Sequence, residues 1–140
     1  MSENNEWLWT LAETIPSESE QGQRIMKLLL SKLEEHQWPM ADTFGVHLST
    51  EEALVNAIKH GNGLDPDKNV QVELNLGAKR VSIRITDEGD GFDFDHLPDP
   101  TLEENLDVPS GRGVMLMRSY MTAVEYNECG NSVFMEKVLD

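Results

Sequence analysis

The chain has 140 residues, of which 11 are Lys or Arg and 26 are Asp or Glu, giving a formal net charge of −15. That length suits one domain, and the negative field repels phosphate backbones and anionic membrane surfaces, so neither a general nucleic-acid binder nor a membrane-surface protein is expected. The single cysteine, Cys129, excludes an internal disulfide and a Cys-based metal cluster.

The longest apolar run is far short of a membrane span, and residues 1–6 are polar and acidic, unlike a secretory signal. The expectation is a cytoplasmic globular domain over 1–140. Trp7, Trp9 and Leu11 alternate and predict a first strand, ended by Pro16 and Ser17. Ser17 with Glu20 has the spacing of a capping box. Ile25, Leu28, Leu29 and Leu33 then recur at helical spacing, predicting a helix over about 18–36. Trp38-Pro39 breaks it.

A second helix is predicted over about 42–60, with Phe44, Leu48, Val55 and Ile58 as its apolar stripe. Gly61-Asn62-Gly63 stops it. Val70, Val72, Leu74 and Leu76 alternate, as do Val81, Ile83 and Ile85, and the two runs read as a hairpin. The second run leads into Asp87-Glu88-Gly89-Asp90-Gly91-Phe92. Residues 93–109 are polar, with three prolines and six acids, and read as a long loop or lid (about 93–110). Ser110-Gly111-Arg112-Gly113 introduces a short apolar helix over about 114–121, in which Val114, Met115, Leu116 and Met117 are expected to pack into the core. Strands over about 123–127 and 133–139 close the chain as a final hairpin. The order predicts an α+β two-layer sandwich: a mostly antiparallel sheet with helices on one face.

Three short elements can carry chemistry. Glu52 and Asn56 stand one helical turn apart on one face, beside Lys59, where a carboxylate and an amide oxygen suit Mg²⁺ or an ordered water; the plain alternative is a solvated helix edge. Asp87 closes a strand before Gly89 and Gly91, so its carboxylate could accept a hydrogen bond from an exocyclic amine while the glycines admit a ligand; the alternative is an acidic turn. Gly111-Arg112-Gly113 precedes a helix, where backbone N–H groups form an anion site; the alternative is an ordinary loop-to-helix turn. A cation face, an amine reader and a phosphate nest together describe a nucleoside triphosphate site, and the acidity of the domain makes Mg²⁺ its natural companion.

These three stretches resemble the GHKL (histidine kinase-like) ATPase superfamily, whose fold is shared by gyrase, chaperone, mismatch-repair and histidine-kinase ATP domains. Residues 52–61, Glu-Ala-Leu-Val-Asn-Ala-Ile-Lys-His-Gly, resemble the N box; residues 87–92 resemble the first glycine box; residues 110–117 resemble the second. Within the superfamily the likeness is to bacterial anti-sigma factor serine-protein kinases. The resemblance implies that Glu52 is the general base, that Asn56 holds Mg²⁺ bridging the ATP phosphates, and that Asp87 binds the adenine amino group. It further implies that Gly89 and Gly91 shape that pocket, that Gly111, Arg112 and Gly113 hold phosphates under the lid, and that Ser132 lies near adenine. Lys59 and His60 would line the phosphate end, although His60 reads better as a histidine favoured by a helix C-terminus. The implied reaction transfers phosphate from ATP to a serine of a small anti-sigma-factor antagonist, with a sigma factor as the competing partner. A homodimer is implied through the sheet edge and helices near the N-terminus, where Trp7 and Trp9 serve either pairing or core packing. Two other readings are a catalytically silent binding module that sequesters a protein partner, and a detached histidine-kinase catalytic domain. The latter is disfavoured because no helix with a phosphoacceptor histidine precedes it.

Overall fold

The structure, a computed structural model, describes residues 7–89 and 111–139. The elements follow in the expected order: β1 (Trp9–Pro16), α1 (Ser19–Glu35), α2 (Met40–Val55), β2 (Asn69–Leu76), β3 (Arg80–Thr86), α3 (Gly111–Tyr120), β4 (Ala123–Tyr126) and β5 (Ser132–Val138). A π-helical turn over Asn56–Gly61 continues α2. The lid predicted over 93–110, and Gly91 with it, lie outside the described residues.

All strand pairings are antiparallel, in the order β1-β2-β3-β5-β4. Alternation fixes which side chains face inward. One register row runs Leu11, Leu74, Ile83, Met135, Val124; the next runs Glu13, Val72, Ile85, Val133, Tyr126. Leu74, Ile83 and Met135 are fully buried. From the helices, Ile25, Leu29 and Leu33 of α1, Val46, Ala53 and Leu54 of α2, and Met117 of α3 join the same core. The α+β sandwich expected from the sequence is the fold observed.

Four local expectations are corrected. The Ser17 hydroxyl does not cap α1. It donates to the Lys68 carbonyl at 2.6 Å and accepts from Asn62 Nδ2 at 2.8 Å, leaving Glu18 at the N-cap without a side-chain bond. The stripe read on α2 is displaced: Phe44 and Val55 are exposed, whereas Val46, Ser49, Thr50 and Ala53 are buried. The reason is that α2 packs against α1, α3 and the sheet together, so small side chains are buried on several faces and the wide-face rule for a surface helix fails. Phe44 instead meets Tyr120 edge to face at 6.0 Å. Met115, expected in the core, is 69% exposed; Val114 and Met117 supply the buried face of α3. Trp7 precedes β1 rather than joining it, and the Arg80 guanidinium lies 4.5 Å from its ring.

Candidate functional site

The end of α2, its π-helical continuation, the end of β3 and the β4–β5 turn meet around one narrow cavity of about 40 Å³. Asn56, His60, Asp87, Tyr126, Asn131 and Ser132 line it above a floor that includes Ile85 and Val133. Asn56, Asp87 and Ser132, distant in sequence, thus line the same cavity. A π-helical turn is wider than an α-turn and recurs at functional sites. Here it carries Asn56 at its start and Gly61 at its end.

Asn56 is 9% exposed, and its Nδ2 has no hydrogen-bond partner among the described residues. A buried amide left uncommitted costs stability unless something else engages it. Asp87 sits where β3 ends. Its N–H donates to the Asn131 carbonyl at 2.9 Å, and Asn131 Nδ2 donates back to the Asp87 carbonyl at 3.1 Å. The Gly89 N–H donates to Asp87 Oδ1 at 2.7 Å. Burial pushes the Asp87 carboxyl up from its ordinary 3.8, while the Gly89 hydrogen bond and the Lys68 charge pull it down. Thr86 Oγ1 and Ser132 Oγ are 2.7 Å apart on neighbouring strands, so the Ser132 hydroxyl is oriented by β3.

Glycine is required where these elements touch. A Cβ on Gly61 would collide with the Asp87 carboxylate, and one on Gly89 with the Gly61 carbonyl. These two absent side chains let the π-helical turn and the loop after β3 close on one another. Similarly, a Cβ on Gly113 would stand 2.5 Å from Glu52 Oε2. The Glu52 carboxylate therefore lies against the first turn of α3, one helical turn from Asn56. Gly111 and Arg112 form that same first turn.

The remaining sequence candidate, Lys59, is not brought to the cavity. It is exposed and lines a separate groove between α1 and α2, with Met26 and Leu54. Consecutive helical residues point in different directions: His60 faces the cavity and Lys59 does not. Tyr126 and Asn131 were not singled out by motif. Tyr126 occupies the inward row beside Val133, its O–H lies 3.8 Å from Met117 Sδ, and burial together with the Glu52 charge pushes its phenol up to about 12, so it is uncharged at neutral pH. Asn131 announces itself only as a turn residue. Asn127 organises that turn by accepting from the N–H groups of Gly130, Asn131 and Ser132 at 2.8, 3.1 and 3.2 Å.

Among the described residues, no group of three or more His, Cys, Asp or Glu could hold a metal ion. Mg²⁺ takes oxygen ligands, keeps several waters and is held mainly by a substrate's phosphates, so one amide oxygen lining the cavity, Asn56 Oδ1, suffices, while the unpartnered Nδ2 is a donor for an acceptor and not for a cation. Asn56 fits that role. Among the same residues, no helix is long and apolar enough to cross a membrane.

An open antiparallel sheet with helices against it thus carries a cavity walled by a helical asparagine and a strand-end aspartate, and Glu52 meets the glycine-led α3 outside that lining. A family model for the histidine kinase-like ATPase domain matches residues 15–137, and the chain belongs to that family. It is 29% identical over 102 residues to the serine-protein kinase RsbW of Bacillus subtilis, covering 66% of this chain and 62% of that protein. It is 31% identical over 91 residues to the serine/threonine-protein kinase BtrW of Bordetella bronchiseptica, covering 64% of each. It is 34% identical over 93 residues to an anti-sigma F factor of Oceanobacillus iheyensis, covering 63% of this chain and 64% of that one. These matches therefore span a little under two thirds of the relatives' lengths. A crystal structure of the RsbU and RsbW domains of a Mycobacterium tuberculosis protein superposes with a TM-score of 0.59 at 14% identity, over 94% of this chain and 32% of that one. It bears out the fold.

Proposed function

We propose that this chain is an ATP-dependent serine-protein kinase that acts in the cytoplasm as an anti-sigma factor, phosphorylating a small antagonist protein and sequestering a sigma factor. The observation that carries the reading is the meeting of Glu52, one turn from Asn56, with Gly113 at the start of α3, beside the cavity that Asp87 and Ser132 line. The names of the relatives support the substrate class.

In this reading the Asp87 carboxylate accepts a hydrogen bond from the adenine amino group, and the Ser132 hydroxyl, held by Thr86, lies at the same end. The backbone of Gly111, Arg112 and Gly113 faces the phosphates with the N–H groups of a helix start. Asn56 would hold Mg²⁺, which supplies charge neutralisation of the phosphate oxygens. Glu52 orients the attacking serine hydroxyl and accepts its proton as the serine oxygen–γ-phosphorus bond forms and the bond from that phosphorus to the β–γ bridging oxygen breaks, releasing ADP. Positioning supplies most of the acceleration, which is why where Glu52 and Asp87 stand matters more than any strongly shifted acid or base.

The test is incubation with labelled ATP, Mg²⁺ and a small antagonist-type protein bearing an acceptor serine. Acid-stable phosphoserine is expected. Glu52→Ala should cut transfer to a small residual rate and still bind nucleotide, whereas Asn56→Ala should lose Mg²⁺-dependent ATP binding as well. Tight ATP binding with no phosphoserine would reject the kinase and leave a binding module.

A further inference from the structure

Asn62 reads in the sequence only as part of a glycine-flanked helix stop. In the structure it is 3% exposed, and its amide is fully used. Nδ2 donates to Ser17 Oγ at 2.8 Å and to the Asn69 carbonyl at 2.9 Å, and Oδ1 accepts from the Glu88 N–H at 2.7 Å. One side chain therefore joins the β1–α1 junction, the start of β2 and the loop after β3. The loop is tied a second time, because the Asn69 N–H donates to Glu88 Oε2 at 2.6 Å. On its other side Asp87 is fixed to Asn131 through the backbone. Buried polar networks of this kind rigidify what they join when every member is satisfied.

We infer that Asn62 is a positioning residue for base selectivity: by holding the Glu88 amide, it fixes the Asp87 carboxylate at the one angle that accepts a hydrogen bond from an adenine amine. The inference rests on the adenine-reading role proposed for Asp87. Adenine carries an amine at the position where guanine carries a carbonyl. A fixed carboxylate therefore attracts one base and repels the other, while a loose one can swing aside and tolerate both. Discrimination built on an aimed polar group weakens when the aim is lost. Asn62 touches neither cofactor nor phosphate end, so its effect should fall on base choice and not on affinity at large.

The test compares the full chain with Asn62→Ala by amide hydrogen exchange and by equilibrium binding of ATP and GTP with Mg²⁺. In the variant the amides of Glu88 and Gly89 should lose protection while those of Leu74 and Ile83 keep theirs. The ATP-to-GTP affinity ratio should fall by about tenfold, the scale of one well-aimed hydrogen bond to a charged group. A folded variant with an unchanged ratio, or one whose Glu88 protection falls only in step with the core, overturns the inference. If Asn62→Ala does not fold, Ser17→Ala removes one acceptor of Nδ2 and so loosens the Asn62 side chain that holds Glu88; Glu88 protection and the ratio should then fall together, and either one falling without the other, or neither falling, overturns the inference. A wild-type chain that binds ATP and GTP equally would instead reject the role given to Asp87, and with it the base-selectivity inference, whatever the exchange data show.

Discussion

Gly113→Ala separates the catalytic geometry from the stability of the fold. The added methyl would stand 2.5 Å from Glu52 Oε2, where ordinary contact begins at 3.4 Å, so the carboxylate must retreat by about 0.9 Å. The atom in the way is the end of a flexible side chain, and the retreat is cheap in folding energy. Replacing a helical glycine by alanine meanwhile gains at most ~1 kcal/mol, and less in a first turn. The variant should therefore unfold at the wild-type denaturant midpoint or slightly above it. A proton acceptor displaced by about 1 Å loses roughly a hundredfold in rate, or ~2.7 kcal/mol of transition-state stabilisation. The assay is phosphoryl transfer to the antagonist protein under single turnover with saturating Mg²⁺-ATP, alongside urea unfolding. A double-mutant cycle isolates the cause: in a Glu52→Ala background the methyl should cost the residual transfer rate little. Wild-type transfer by Gly113→Ala, or an equal loss in both backgrounds, would refute the assignment of Glu52 as the group that the glycine protects.

Two further outcomes follow from the other contacts. Gly61→Ala drives a methyl into the half-buried Asp87 carboxylate, which the Gly89 N–H restrains; a stability loss of ~1–3 kcal/mol in urea unfolding is expected, with ATP affinity lost in parallel. Asp87→Asn should do the reverse to stability. Burial raises the folded carboxyl above 3.8, so between 3.8 and that raised value the native state binds more protons than the unfolded state. Stability from this group therefore falls as pH rises through the window, and above it the ionised carboxylate is a standing cost. The amide variant should be more stable than wild type at pH 7, lose that advantage as pH falls towards 3.8, and bind ATP at least about tenfold more weakly. Urea unfolding across pH, with calorimetry of ATP binding, checks both signs.

The sequence by itself determined the elements and the chemistry on offer. Alternation along 70–76 and 81–85 placed Leu74 and Ile83 on the inward face, because a period of two leaves a strand no other way to bury them. The spacing of Glu52 and Asn56 placed both on one helical face, and glycines beside Asp87 and Arg112 marked where backbone must come close. Local pattern failed where a side chain answers to a distant partner. Ser17 has the form of a cap and serves Lys68 and Asn62 across 51 and 45 residues. The stripe expected on α2 fails because a helix covered on several sides has no single wet face. Lys59 and His60 are neighbours in the chain, yet consecutive positions on a helix diverge and the two line different cavities. Only the tertiary structure could show Gly61 under Asp87, Gly113 under Glu52, and Tyr126 and Asn131 in the cavity wall. These are contacts between elements, and no periodicity within one element encodes the register in which two of them meet.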